Sequence, residues 1–201
     1  MTMSRTDRKA REAGIDPTRI PPGQYYTEKW PVLHAGGVPS VGLERWQLRV
    51  FGLVENPVSL SLPELLDLGV EERTVDIHCV TRWSRLGMQW RGVPMAGLLE
   101  LVKPLPEARF VIAHAEQGFT ANLPIEAISD QQVLLAHEAD GAPLTAEHGW
   151  PLRLLVPSRY FWKSAKWLNG LEFSAIDKPG FWEGYGYHND ADPWKEERYG
   201  F

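Results

Sequence analysis

The sequence contains a single cysteine, Cys79, and that scarcity removes several classes at once. One thiol forms no intramolecular disulfide, so the chain is no stapled secreted scaffold, and the thiol must be explained by packing or by chemistry. No apolar run approaches the roughly 20 residues that cross a bilayer, so no membrane span is expected. Positive charge is not in excess: 21 Lys and Arg against 26 Asp and Glu give -5 at neutral pH. A general nucleic-acid binder needs a basic face, so any anion handled here is met by a local pocket. The six histidines (His34, His78, His114, His137, His148, His188) show neither His-x3-His spacing nor a His-Glu-x-x-His helix, which leaves a three-ligand zinc site hard to assemble. Internal repeats and low-complexity tracts are missing. Near the N-terminus, Arg5, Arg8, Lys9 and Arg11 precede no apolar core and include no twin arginines; with the lone thiol, this reads as a cytoplasmic protein.

What is present suits a folded domain. With 201 residues, 43% hydrophobic and 23% charged, the chain is long enough for one full core. Residues 1–40 mix charge, Pro and Gly without periodicity and read as an extended arm over a domain spanning 41–201. Trp46, Leu48 and Val50 alternate as a strand, and Leu62 to Leu68, with Pro63 in its first turn, reads as a short helix. Strands are expected at Val75–His78 (ending at Cys79), Phe110–Ala113, Val133–Ala136, Leu152–Val156 and Leu171–Ile176, with a helix over Pro94–Val102 and a turn at Asp140–Pro143. The tail from Asp177, with Phe181, Trp182, Tyr185 and Tyr187, lacks periodicity and suits a lid. The fold class is α+β, a mixed sheet with long loops.

Two places carry chemistry. Cys79 ends an apolar strand and is followed by Arg82 and Arg85; nearby cations favour the thiolate, the form that attacks electrophiles or binds soft metals. A buried structural cysteine fits the same position, and a Cys-His nucleophile is weakened because the adjacent His78 points to the opposite face of a strand. The second place joins His148, Gly149 and Arg153 to Lys163, Ser164, Ala165 and Lys166, donors that suit a phosphate. Arg153 interrupts an apolar strand, where an unpaired charge is costly unless an anion is buried beside it. A solvated basic loop is the plainer reading of the lysines.

The segments Ile77 to Ser84 and Trp90 to Val93 resemble the metal-ligand region of the stand-alone bacterial sulfite-oxidase-like molybdopterin oxidoreductases. His148 to Arg153 is similar to that family's motif for the pterin's terminal phosphate, and Lys163 to Leu168 to its pterin-wrapping loop. The resemblance implies a sulfite-oxidase-type domain binding molybdenum through a pterin dithiolene without an appended nucleotide, with Cys79 as the protein's metal ligand. It further implies that His34, His114, His148, Arg153, Lys163, Ser164, Ala165 and Lys166 bind the cofactor, and that Trp90, Arg82 and Tyr187 lie at the substrate face. The implied activity is two-electron oxygen-atom transfer to or from a small molecule such as sulfite, a sulfoxide or an N-oxide. The haem domain of eukaryotic sulfite oxidases has no counterpart here, so electrons are expected to pass to or from a separate protein. The acidic residue that methionine-sulfoxide-reducing relatives carry two positions after the cysteine is replaced by Thr81. A non-catalytic anion-binding module and a cysteine-dependent hydrolase or thiol redox protein are the competing expectations.

Overall fold

The structure is a computed structural model in which residues 10–200 are described. Arg5, Arg8 and Lys9 lie outside the described residues. In chain order the strands are β1 (Tyr25–Tyr26), β2 (Leu48–Gly52), β3 (Val58–Leu60), β4 (Glu71–His78), β5 (Trp83–Pro94), β6 (Phe110–Ala115), β7 (Thr120–Pro124), β8 (Leu134–Ala139), β9 (Ala142–Pro143), β10 (Arg153–Leu155) and β11 (Leu168–Ser174). Short helices accompany them, among them α1 (Leu62–Leu66), α2 (Met95–Val102) and α3 (Ile125–Ile128). The expected mixed α+β architecture is therefore present.

The strands form two sheets. One runs β3-β2-β11-β6-β7; the other runs β1-β5-β8-β10, with β4 also on β5 and β9 also on β8. Two pairings are parallel, β1 with β5 and β2 with β11, which makes both sheets mixed. Side chains from both sheets and α2, among them Val50, Val111, Leu171, Leu135, Leu154 and Leu98, merge into one core. The opposite face of the second sheet buries a smaller cluster that contains Ile77, Cys79, Trp83, Met88, Trp90 and Leu134. Successive residues Leu134 and Leu135 thus serve different clusters, as the two-residue period of a strand requires.

Local chemistry explains the elements. Ser61 caps α1 reciprocally, its hydroxyl accepting from the Glu64 amide while the Glu64 carboxylate accepts from the Ser61 amide at 2.8 Å. β5 and β7 were not anticipated from the sequence, although Met88 and Trp90 are buried between exposed Gln89 and Arg91 in the required alternation. Gly92 sits at a register shift against β8, where a Cβ would fall 2.3 Å from the Leu135 carbonyl oxygen. The final strand begins three residues earlier than expected and stops at Ser174, leaving Ile176 exposed. The N-terminal arm is partly integrated: Tyr25 and Tyr26 extend the second sheet, and Arg19 pairs with Asp76 at 2.5 Å. Among the described residues no helix is long and apolar enough to cross a membrane.

Candidate active site

Cys79 stands at the mouth of the β4–β5 hairpin. Its amide donates to the Trp83 carbonyl at 2.9 Å, and the Arg82 amide returns to the Cys79 carbonyl at 2.9 Å. The connection is a three-residue loop, Val80-Thr81-Arg82, whose last residue takes the left-handed conformation (φ 76) that closes such hairpins. The Thr81 hydroxyl donates to the Cys79 sulfur at 3.2 Å. His78 faces the other way, its Nδ1 paired with the Ser84 hydroxyl at 2.8 Å and its ring edge-on to Trp194. Burial drives the His78 pKa down to about 4.

The flanking cations do not act on the thiol as expected. Arg82 is exposed, and Arg85 is tied to Asp140. Burial pushes the Cys79 thiol up, opposed by the Thr81 hydrogen bond and by the more distant Arg198 guanidinium.

Cys79 opens into a cavity of about 500 Å³, which is also lined by Arg153, His148, Ser164, Ala165, Lys166, His34 and Tyr187. Arg153 is the unusual member. It is 2% exposed, donates to the carbonyls of His148 and Ser164 at 2.8 Å each, and lies 4.2 Å from the Phe161 ring centre. Its Nε finds no partner and it forms no ion pair with a carboxylate among the described residues, so burial pulls its pKa down to about 9. Lys166 donates to the carbonyls of Leu33 and Glu147, both at 2.9 Å, and is lowered to about 7 by burial first and by Arg153 second. Gly149, at φ 110, permits this approach: a Cβ there would meet the Lys166 Cβ at 3.0 Å. His148 pairs with the Thr145 hydroxyl at 2.9 Å and stacks on Trp30 at 3.7 Å between ring centres. His34, exposed, bonds the Gly36 carbonyl at 3.0 Å.

Aromatic side chains form much of the cavity wall, with Trp30, Trp83, Phe161, Trp162, Trp182 and Tyr187 among them. Tyr187 packs against Trp162 and Trp182, each at 5.0 Å, and its hydroxyl pKa is raised by burial, then by Tyr199 and Cys79.

Four expected site residues do not line the cavity. The Lys163 ammonium turns to the Asn122 carbonyl and side-chain oxygen at 2.8 and 2.9 Å and to Glu183 at 2.6 Å, a fully buried ion pair that fastens the aromatic tail to β7. His114 turns across the first sheet to Glu172 at 3.1 Å. Trp90 lies one ring behind the wall, edge-on to Trp30 at 5.2 Å, and Arg82 projects outward. Conversely, Trp30, Leu33, Thr81, Phe119, Trp162 and Trp182 line the cavity without having been singled out for it. For Trp162 the cation-rich loop around it was a usable signal; Trp30 offered none.

The donor set fits a molybdopterin. A buried guanidinium with a spare N–H and a neighbouring depressed ammonium, both bonded only to neutral carbonyls, call for an anion such as a phosphate. The aromatic walls suit a flat ring, and a thiol is a ligand for a soft metal.

Comparison with known proteins agrees with this donor set. Residues 35–182 match the oxidoreductase molybdopterin binding domain. The uncharacterized oxidoreductase YuiH of Bacillus subtilis is 47% identical over 182 residues, 90% of this chain and 92% of that protein. The catalytic subunit of the protein-methionine-sulfoxide reductase MsrP from Xanthomonas campestris is 31% identical over 75% of this chain, which spans about half (53%) of that relative. Among solved structures, the sulfane dehydrogenase SoxCD from Paracoccus pantotrophus superposes with a TM-score of 0.65 at 25% identity, covering 71% of this chain and 41% of that one. The resemblance to sulfite-oxidase-type proteins holds in fold and in sequence, and the chain belongs to the oxidoreductase molybdopterin-binding domain family, enzymes whose cofactor is molybdopterin-bound molybdenum.

Proposed function

We propose that this enzyme moves an oxygen atom to or from a small uncharged substrate of the sulfoxide or N-oxide type, exchanging electrons with a separate carrier protein. One observation carries the reading: a single cavity joins the lone thiol to a buried guanidinium that no carboxylate neutralises among the described residues. In this reading Cys79 is the protein's metal ligand and the Thr81 hydroxyl steadies its sulfur. Arg153, Lys166, His148 and His34 face the cofactor's anionic tail, with Ser164 and Ala165 beside it. When bound, the cofactor supplies a two-electron redox centre able to exchange an oxygen atom. The chain does the rest. Trp162 and Trp182 keep water from the sulfur, and Tyr187 offers a hydroxyl that donates to a substrate oxygen.

Charge supports a neutral substrate over sulfite. Arg82 and Arg85, the two cations next to Cys79 in sequence and able to receive an oxyanion, lie off the cavity, Arg85 in an ion pair with Asp140. The MsrP relatives, described as catalytic subunits acting on methionine sulfoxide, support both the substrate type and the need for a partner. A cysteine hydrolase is disfavoured because burial raises the thiol pKa and His78 faces away from the cavity. Protein from a host that makes the cofactor is expected to carry about one molybdenum per chain and to protect Cys79 from alkylation. It is also expected to turn over sulfoxides and N-oxides, but not sulfite, with artificial electron carriers. A molybdenum-free product, or a freely alkylated thiol in the loaded protein, overturns the proposal.

A further inference from the structure

Gln24 and Arg198 both lie outside residues 35–182, the part of the chain that matches the family, yet they meet behind the Cys79 hairpin. The Gln24 amide donates to the carbonyls of Cys79 and Trp83 at 3.0 and 3.3 Å. Arg198 donates to the Val80 carbonyl at 2.8 Å, to the Gln24 side-chain oxygen at 3.0 Å and to the Pro22 carbonyl at 3.3 Å, and sits 4.9 Å from the Tyr160 ring centre. Both side chains are buried, and among the described residues Arg198 pairs with the carboxylate of Glu196 at 3.8 Å. The hairpin's loop ends in a non-glycine left-handed residue, a conformation that costs energy and persists where the surroundings hold it. Three of its carbonyls are held from outside by one amide and one guanidinium.

We infer that Arg198 and Gln24 are positioning residues for Cys79: together they fix the hairpin that presents the sulfur, and Arg198 sets the positive field behind it. The inference rests on Cys79 as the metal ligand for its electronic part only; the bracing is a property of the cofactor-free chain. A cation behind the ligand favours the metal state richer in electrons, so its removal makes the metal harder to reduce.

Hydrogen exchange on cofactor-free protein and the metal's midpoint potential in loaded protein separate the two parts. Arg198→Met is expected to speed exchange at the Cys79 and Arg82 amides by about tenfold, the worth of one net hydrogen bond, and to shift the potential negative. Arg198→Lys keeps the charge but not the forked geometry, and should speed exchange while leaving the potential near wild type. Gln24→Glu, an isostere without the two donors, guards against global unfolding as the cause and should loosen the same two amides. Unchanged exchange in Gln24→Glu and Arg198→Lys overturns the brace. Equal potentials in Arg198→Met and wild type, with the loaded metal still dependent on Cys79, overturn the tuning. Cys79→Ser protein with an unaltered metal spectrum instead counts against the function proposed above and leaves the exchange result standing.

Discussion

Replacing Arg153 by methionine should separate what this side chain does for the fold from what it does for the cofactor. Burial alone pulls its guanidinium down from the ordinary arginine range to about 9, which corresponds to about 5 kcal/mol of desolvation. The group remains protonated at neutral pH, so this burden is constant below about pH 9. Arg153→Met removes it and removes two hydrogen bonds from a charged donor, worth about 1.5–3 kcal/mol each. The opposing terms nearly cancel, and cofactor-free variant is expected to unfold in urea within about 2 kcal/mol of wild type. Cofactor retention behaves differently. Loss of even one charge-assisted contact to a phosphate lowers affinity by about ten- to 150-fold. Pterin fluorescence, measured after release from purified protein, reads the retained fraction. A variant that keeps its pterin but loses more than about 3 kcal/mol in urea would refute the reasoning, because Arg153 would then be a structural brace and not an anion receptor.

Three further outcomes follow from the same geometry. Lys166 holds its proton less tightly when folded, with a pKa of about 7, than when unfolded, near 10.5; the unfolded chain therefore binds more protons in that interval. The stability of cofactor-free protein should rise with pH from about 7 to 10.5, and Lys166→Met should flatten that rise in urea titrations at several pH values. Glu183→Gln leaves the Lys163 ammonium buried without its carboxylate and should cost about 3–5 kcal/mol by denaturation, with Lys163→Met/Glu183→Leu together costing less than the sum of the single changes. Tyr187→Phe should lower kcat about 100-fold with KM nearly unchanged, since the hydroxyl acts on an oxygen whose charge grows during reaction; an equal rise in KM alone would assign it to ground-state binding.

Several of these features were legible in the chain itself. Arg153 stood out by breaking an apolar strand, and the Cys79 position followed from an apolar run that stops. Other residues were ambiguous for physical reasons. Lys163 and Lys166 are the same residue type in one loop, but a 3-10 turn over Phe161–Lys163 sends the first into a buried ion pair and leaves the second at the cavity. His114 was indistinguishable by sequence from a cofactor contact until the β6–β11 register paired it with Gly170, from where its ring reaches Glu172 on the diagonal. β7 reads Thr-Ala-Asn-Leu-Pro, too poor in β-branched residues to show as a strand, and Asn122 within it serves as the anchor for Lys163. Trp30 meets His148 across 118 positions, a contact that no local pattern encodes.

That last contact joins the N-terminal arm to the cavity wall. Trp30, Leu33 and His34 belong to a stretch with no partner in either sheet, anchored to the far wall chiefly by Lys166, the stack on His148 and a long bond from that ring to the Trp30 carbonyl. This side of the cavity is therefore held by side-chain contacts and not by a strand ladder. Weakening those few contacts would loosen one wall of the cavity while leaving the ladders of both sheets intact.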